Sequence, residues 1–518
     1  MPDQELLQAR LFQKLKQHLE NASPGTEIQQ VETHISRLLI GPHEVYKLKK
    51  PVNFGFLDFS TLQRRKGFCE AEVRFNSRLA PQLYLGVVAL DADGIPDSGE
   101  PAVEYAVKMR RFDDSGMLDK LLDAGFVSVS DVICLAEDIG RFHLGAAVVT
   151  DPQFGAPRSI SHWFDENFGQ IRPLLGEPAL INQLADIQAW GEAQKQALTP
   201  LMQTRHDKGF IRECHGDLHP GNIVLHDEQF LLFDCIEFND ELRCIDVISD
   251  AAFLLMDLFY RGRRDLAYTF LDRYLQVTGD YEALPLLHFY IAYRALVRAK
   301  VALLTLQQSA AGERSALLGT YKRYAALAFE MSQPAAARLV ITRGLSGSGK
   351  TTYSRALSRL SGMICLRSDV ERKRLAGLAE TDPSHSAADG GIYTPEFTER
   401  TYQRLAQLAA LSLSHGYSVV IDATFLEKSR RDDFRALARS HGAGFSILNL
   451  FAPLSELEQR IRRRRNDASE ADITVLHNQC DKADPLQDDE RAHLIDVDTL
   501  QVPPGGRGFT QLIRQHIH

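Results

Sequence analysis

The 518-residue sequence has few cysteines, an odd seven in all (Cys69, Cys134, Cys214, Cys235, Cys244, Cys365 and Cys480), and none is spaced C-x-x-C. Scattered thiols of this kind argue against a disulfide frame or a thiolate zinc site, and they suit a reducing compartment, so a cytoplasmic protein is expected. Long apolar runs are also missing. The greasiest stretch, Leu284 to Leu304, is broken by His288, Arg294, Arg298 and Lys300, which makes it a core helix rather than a membrane span. Met1 to Asn21 carries Asp3, Glu5, Lys14, Lys16 and Glu20, so no signal-peptide core is expected there. Neither sign of charge prevails strongly: 59 basic residues face 68 acidic ones, for a net charge of −9. A global basic footprint is therefore absent, and no sequence-specific nucleic-acid binding is expected.

What is present is ordinary globular material. With 44% hydrophobic and 25% charged residues, the chain can build more than one core, and its length suggests two to four domains at roughly 100–200 residues each. Leu7, Leu11, Leu15 and Leu19 fall on one helical face. Two strand-like runs, His34–Ile40 and Glu44–Leu48, are joined by Gly41-Pro42 as a hairpin. Ser60 or Thr61 can cap a helix that includes Arg64 to Leu79, and a further strand is expected over Val103–Met109. After a mainly helical middle comes the small-residue segment Ser332 to Ala337, read as a linker. Beyond it strands and helices alternate, which argues for a parallel α/β sheet.

The alternating half opens with Gly344-Leu-Ser-Gly-Ser-Gly349-Lys350-Thr351-Thr352, a complete G-x-x-x-x-G-K-[ST]. Gly344, Gly347 and Gly349, with Ser346 and Ser348, let successive amides curl around an anion, and the helix that follows adds its positive end. Lys350 can then reach β/γ-phosphates, while Thr351, followed by Thr352, offers a hydroxyl to Mg²⁺. The strand Val419-Val420-Ile421 ends in Asp422, as expected of a carboxylate near that metal. Asp369, which follows the second strand, either accepts the proton of an attacking hydroxyl or caps the next helix. Five arginines between Arg460 and Arg465 form a phosphate-closing lid, a solvated helical face or an anionic-ligand patch. With GLSGSGKTT, RSDVERKR, VVIDATFLEKSRR and RIRRRRNDASEAD together, this half resembles the P-loop kinases related to polynucleotide 5′-hydroxyl kinase and zeta toxins. The resemblance implies Asp369 as the acid that activates the acceptor, Arg464 as the closest match to a lid arginine, and Arg431 as a substrate contact.

In the first half, His215-Gly-Asp217-Leu-His219-Pro-Gly-Asn222 precedes an apolar run ending in Asp234-Cys-Ile-Glu237. This spacing places one carboxylate, Asp217, beside an acceptor hydroxyl and makes Asn222 and Asp234 candidate Mg²⁺ ligands. His215 and His219 are read as structural or hydrogen-bonding groups. The whole string HGDLHPGN…FDCIEF resembles the aminoglycoside phosphotransferase and choline kinase family, over roughly residues 30 to 330. Such a fold implies an ATP-binding lysine paired with a helical glutamate: Lys47 is the better candidate, Lys49 the fallback, and Glu72 the partner. It also suggests that Asp246, at least, supports the catalytic loop.

The order of the two halves resembles bifunctional aminoglycoside phosphotransferase-like/ATP-binding proteins. The expected architecture is an α+β, protein-kinase-like bilobal domain over residues 1–332, with an N-lobe at about 30–113 and a C-lobe at about 114–332. A linker at 333–337 and an α/β P-loop domain with a parallel sheet over 338–518 complete it. The expected activity is ATP- and Mg²⁺-dependent phosphorylation of hydroxyl groups on a small-molecule, nucleotide or oligonucleotide acceptor. Catalysis by only one half, or an ATP-gated switch without transfer, are the alternatives.

Overall fold

A computed structural model describes residues 2–54, 57–309, 312–386, 390–463 and 469–517. The chain falls into two compact units. One gathers Met1–Ser128, Phe142–Asp257 and Tyr290–Ala328; the other gathers Val129–Arg141, Leu258–Phe289 and Phe329–His518.

The first unit carries an antiparallel sheet of five strands in the order β1-β2-β3-β5-β4. These are β1 (Gln29–Glu32), β2 (Ser36–Ile40), β3 (Glu44–Lys49), β4 (Tyr84–Leu90) and β5 (Glu104–Arg110). The Gly41-Pro42 turn closes the β2–β3 hairpin as expected, with the Gly41 amide donating to the Glu44 carbonyl at 2.9 Å. Side chains alternate across a strand, so β3 divides its residues between two faces. Tyr46 and Leu48 pack under α1 (Pro2–Ala22), which contributes Leu11, Phe12 and Leu15. The helix meets this core only from Gln8 onward, which leaves Leu7 63% exposed instead of buried on the apolar face. Val45 points the other way, toward Cys69 of α2 (Leu62–Asn76), and Lys47 and Lys49 share its register. Thr61 caps α2 by accepting from the Arg64 amide at 3.3 Å.

Farther along, β6 (Ile211–Glu213) pairs with β9 (Cys244–Asp246), and between them lies the hairpin β7 (Ile223–His226) and β8 (Gln229–Leu232). The two hairpin-turn residues, Asp227 and Glu228, both adopt positive φ, the twist that a two-residue connection requires. Helix α3 (Val247–Tyr260) begins directly after β9.

In the second unit, five strands run parallel in the order β11-β12-β10-β13-β14. They are β10 (Arg338–Arg343), β11 (Ile364–Arg367), β12 (Val419–Asp422), β13 (Gly444–Phe451) and β14 (Leu494–Asp498). Leu339, Val340 and Ile341 of the central β10 are wholly buried, as expected where a parallel sheet is covered on both faces. The helices that matter here are α4 (Arg264–Thr278), α5 (Lys350–Ser361), α6 (Ser368–Leu375) and α7 (Ile473–Lys482). Neighbouring β10, β11 and β12 end on one edge, which brings the P-loop, Asp369 and Asp422 together. Residues 334–337 carry neither helix nor strand. Among the described residues, no helix is long and apolar enough to cross a membrane.

Candidate functional site

The first site is assembled around Glu72. Lys47 and Lys49 lie two residues apart on one face of β3, and both reach this buried carboxylate, at 2.9 Å to Oε1 and 2.6 Å to Oε2. Each lysine then bridges to a different acid of the turn after β8. Lys47 Nζ is 2.5 Å from Asp234 Oδ1, and Lys49 Nζ donates to Glu237 Oε1. Burial by itself would lower the Lys47 pKa, but Asp234 and Glu72 outweigh it and hold the ammonium charged well beyond its usual range. Glu72, in turn, is held below the usual carboxylate range by the two lysines, against the effect of its own burial. Asp234 has a φ of +60°, a sparsely populated conformation of the kind retained where surrounding bonds impose it. Here the imposing bonds come from Lys47 and from the Tyr84 hydroxyl, which accepts from the Asp234 amide at 3.1 Å.

Asp217 and Asn222 face each other across the loop between β6 and β7. Asn222 Nδ2 donates to Asp217 Oδ2 and to the Asp217 carbonyl, both at 3.0 Å, so its amide oxygen is turned elsewhere, as a metal ligand requires. The two histidines act as braces. His215 Nε2 donates to the Phe233 carbonyl at 2.9 Å while its Nδ1 accepts from the Asp217 amide at 3.3 Å, a pattern that fits the neutral ring. His219 Nδ1 accepts from the Gly221 amide, and its Nε2 lies 3.5 Å from Asp217 Oδ2. Withdrawal from water would raise the Asp217 pKa, yet His219 and Arg298 override it and hold the carboxyl well below the ordinary range.

The loop is anchored by Asp250 rather than Asp246. Asp250 accepts from the His215 and Gly216 amides, each at 2.9 Å, and lies 3.2 Å from His143 Nε2. Asp246 instead meets Arg205 in a two-pronged pair at 2.7 and 2.8 Å. The difference follows from position. Asp246 ends β9 with its carboxylate turned to Arg205, whereas Asp250 sits in the first turn of α3 and meets the loop amides.

The second site is the P-loop itself. Gly344, Gly347 and Gly349 have φ of +158°, +82° and +93°. A Cβ at Gly344 would lie 2.5 Å from the Leu450 carbonyl oxygen, and one at Gly347 would lie 2.8 Å from that of Leu457. Only glycine therefore lets the loop close this tightly. Lys350 Nζ folds over the loop to the Leu345 carbonyl at 2.9 Å, the Ser346 amide donates to Gln479 of α7 at 2.8 Å, and the Ser348 hydroxyl is buried without a hydrogen-bond partner among the described residues. The Thr351 hydroxyl donates to Asp422 Oδ2 at 2.7 Å, which joins the two candidate metal-binding groups. Burial pushes the Asp422 carboxyl up, with Arg367 pulling the other way. Thr352 lines the same cavity, of about 700 Å³, as do Asp369, Arg372, Arg430 and Arg463. The N-cap of α6 is Arg367, with no side-chain capping bond, and Asp369 falls in the first turn of the helix.

The arginine cluster separates by residue. Arg460 bonds to Glu456 at 2.7 Å and to the Thr499 hydroxyl at 2.9 Å, Arg462 is exposed, and Arg464 lies outside the described residues. Arg431, expected to contact substrate, is 1% exposed and pairs with Glu490 at 2.6 Å, so its role in the fold is a structural one. Its neighbour Arg430 faces the cavity instead.

Comparison with known proteins divides the chain into the same two parts. A model described as "Phosphotransferase enzyme family" matches residues 128–287, and one described as "AAA domain" matches residues 339–486. The uncharacterized protein Rv2004c of Mycobacterium tuberculosis is 32% identical over 448 residues, which cover 86% of this chain and 88% of that protein. The chain belongs to this family of phosphotransferase–P-loop tandem proteins. Protein Mb2027c of Mycobacterium bovis matches to the same extent. Among solved structures, an ethanolamine kinase of Plasmodium vivax is 13% identical with a TM-score of 0.38, over 61% of this chain and 86% of that one. A gluconokinase of Sinorhizobium meliloti is 19% identical with a TM-score of 0.26, over 36% and 95%. By its two family matches and its sheets, the tandem protein carries a kinase-like phosphotransferase fold followed by a P-loop fold with a parallel sheet.

One consequence for the tandem protein's first site concerns pH. With the Asp217 pKa depressed, this carboxyl is expected to stay ionised from neutral pH down to about pH 5 and to add no acid-side titration of the kind that a carboxylate raised toward neutrality gives. The stability this carboxylate contributes is complete above its unfolded pKa of about 4 and is lost only as pH falls through the lower folded value. Melting temperature recorded across this pH range, for the parent and for Asp217→Asn, measures both.

Proposed function

We propose that the tandem protein is a double kinase in which each half transfers the γ-phosphoryl group of ATP to a hydroxyl, on a small-molecule, nucleotide or oligonucleotide acceptor. The observation that carries this reading is the assembly at the first site: Lys47, Glu72 and Asp234 come from distant stretches of chain and meet within hydrogen-bonding reach, and the Asp217–Asn222 pair is tied to the residue before Asp234, because the Asn222 carbonyl accepts from the Phe233 amide at 3.0 Å. In this reading Asp217 orients the acceptor hydroxyl and takes its proton late, since a carboxylate with so low a pKa is a weak base but a strong acceptor of hydrogen bonds. Lys47 leans from Glu72 toward the phosphates while Lys49 keeps Glu72 in place. At the second site the P-loop amides and Lys350 hold the phosphates, and Asp369 receives the acceptor hydroxyl.

Asn222 with Asp234, and Thr351 with Asp422, are the groups that would hold Mg²⁺. They are all oxygen donors, as this ion prefers, and when bound it would neutralise phosphate charge. Catalysis in both halves is then positioning and charge neutralisation rather than covalent chemistry.

The test is transfer of labelled γ-phosphate from ATP to a mixed panel of 5′-hydroxyl oligonucleotides, nucleotide sugars, aminoglycosides and a metabolite extract. The expected result is two labelled products, one lost on substitution of Asp217 and the other on substitution of Lys350. Nucleotide binding at both sites without any labelled product would overturn the reading in favour of an ATP-gated switch.

A further inference from the structure

Behind the P-loop, charged side chains from separate stretches of the second unit form one continuous chain. Arg367 ends β11, is 2% exposed, and lies with Nε 3.4 Å from Asp422 Oδ2. Its Nη1 donates to Glu380 Oε1 at 2.7 Å. The other oxygen of Glu380 accepts from Arg273 Nη1 of α4 at 2.5 Å, and Arg273 Nε donates to Glu137 Oε1 at 2.8 Å. The residues that reach the P-loop site this way include two from the stretch matched by the phosphotransferase model.

The geometry of Arg367 is the informative part. A guanidinium beside a carboxylate normally closes on it as a two-pronged fork, as Arg205 does on Asp246 in the first unit. Arg367 approaches Asp422 with Nε at the longer distance, while Glu380 holds its Nη1. Glu380 keeps that hold because Arg273 fixes its second oxygen. Were Arg367 to close its fork, it would occupy both oxygens of the carboxylate that the Thr351 hydroxyl already meets, and a cation would have to compete for them.

We propose that Glu380 is a positioning residue of the P-loop site: pinned by Arg273, it holds Arg367 off Asp422 and keeps that carboxylate open to Mg²⁺. The inference rests on the reading of this site as a Mg²⁺–nucleotide site.

The experiment uses the full chain carrying Lys47→Met, so that nucleotide binding reports the second site. The quantity measured is the Mg²⁺ concentration giving half of the thermal stabilisation produced by ADP. Glu380→Gln is expected to raise it about tenfold, and Arg273→Gln to raise it in the same direction. Because both act through Arg367, the double variant should exceed the larger single effect by little. A purely structural role would lower the melting temperature of the nucleotide-free protein and leave the Mg²⁺ half-point where it was. Half-points within twofold of the parent in both single variants would overturn the proposal, and Arg273→Gln alone decides if Glu380→Gln does not fold. A parent that gains no stability from Mg²⁺ and ADP would overturn the nucleotide-site reading, and the proposal with it.

Discussion

Asp217→Asn is expected to cut transfer at the first site by about 10²–10⁴-fold, the range typical of a positioned acid–base group. The substitution keeps the shape of the side chain but removes the charge on which Asn222 Nδ2 and His219 converge. An amide can still accept one hydrogen bond, yet it cannot take a proton from the attacking hydroxyl. The loss should fall on kcat more than on KM, because the interaction strengthens as the hydroxyl is deprotonated. The variant gives up the stability that the carboxylate contributes, but the fold should persist, since the loop keeps its anchor through Asp250 and the backbone amides of His215 and Gly216. The check is steady-state kinetics on the product assigned to the first site, with the other product as an internal control that should not change. A loss smaller than tenfold with both products intact would remove Asp217 from the reaction.

At the second site, Lys350→Ala is expected to lower transfer by about 10²–10³-fold, comparable to removing one preorganised charge-stabilising donor. Lys350 is the first residue of α5 and its ammonium already bends back over the loop to Leu345. That posture places its charge where phosphate oxygens enter the cradle formed by Gly344 to Gly349. The glycine geometry is set by Leu450, Leu457 and the strand ends rather than by Lys350, so the loop should keep its shape in the variant. Nucleotide-induced thermal stabilisation, measured with Lys47→Met to silence the first site, should therefore weaken without a fall in the melting temperature of the free protein. Unchanged affinity and rate in that background would place the phosphates elsewhere.

Much of both sites could be read from the sequence because their chemistry is local in the chain. HGDLHPGN brings Asp217, Asn222 and their histidine braces into one short loop, and GLSGSGKTT carries the whole cradle in nine residues. Lys47 and Glu72 were legible for a different reason. A strand and a helix lay where a lysine–glutamate pair would need them, with Glu72 well inside α2. What was not legible depends on direction rather than residue type. Lys49 and Glu237 are far apart in sequence, and nothing in either neighbourhood names the other. Arg430 and Arg431 are adjacent, and the turn of about 100° per helical residue sends one to the cavity and the other to Glu490. The strands β1 and β4 were missed because Gln29–Glu32 is fully exposed and Tyr84–Leu90 contains Gly86, so neither shows clean alternation. The involvement of Arg273 and Glu380 was likewise invisible, since it depends on which helix packs behind β11.

The way the two units are drawn from the chain has a practical corollary. The unit that holds the P-loop takes in Val129–Arg141 and Leu258–Phe289 as well as everything from Phe329 onward. A protease cut within 334–337 would therefore not release two independent enzymes, because pieces on both sides of the nick are needed to complete one of them. The cleaved protein should run as a single particle on a sizing column under native conditions and come apart only in denaturant. A fragment beginning at the P-loop strand, expressed alone, would lack α4 and with it Arg273, the residue that holds Glu380 in place.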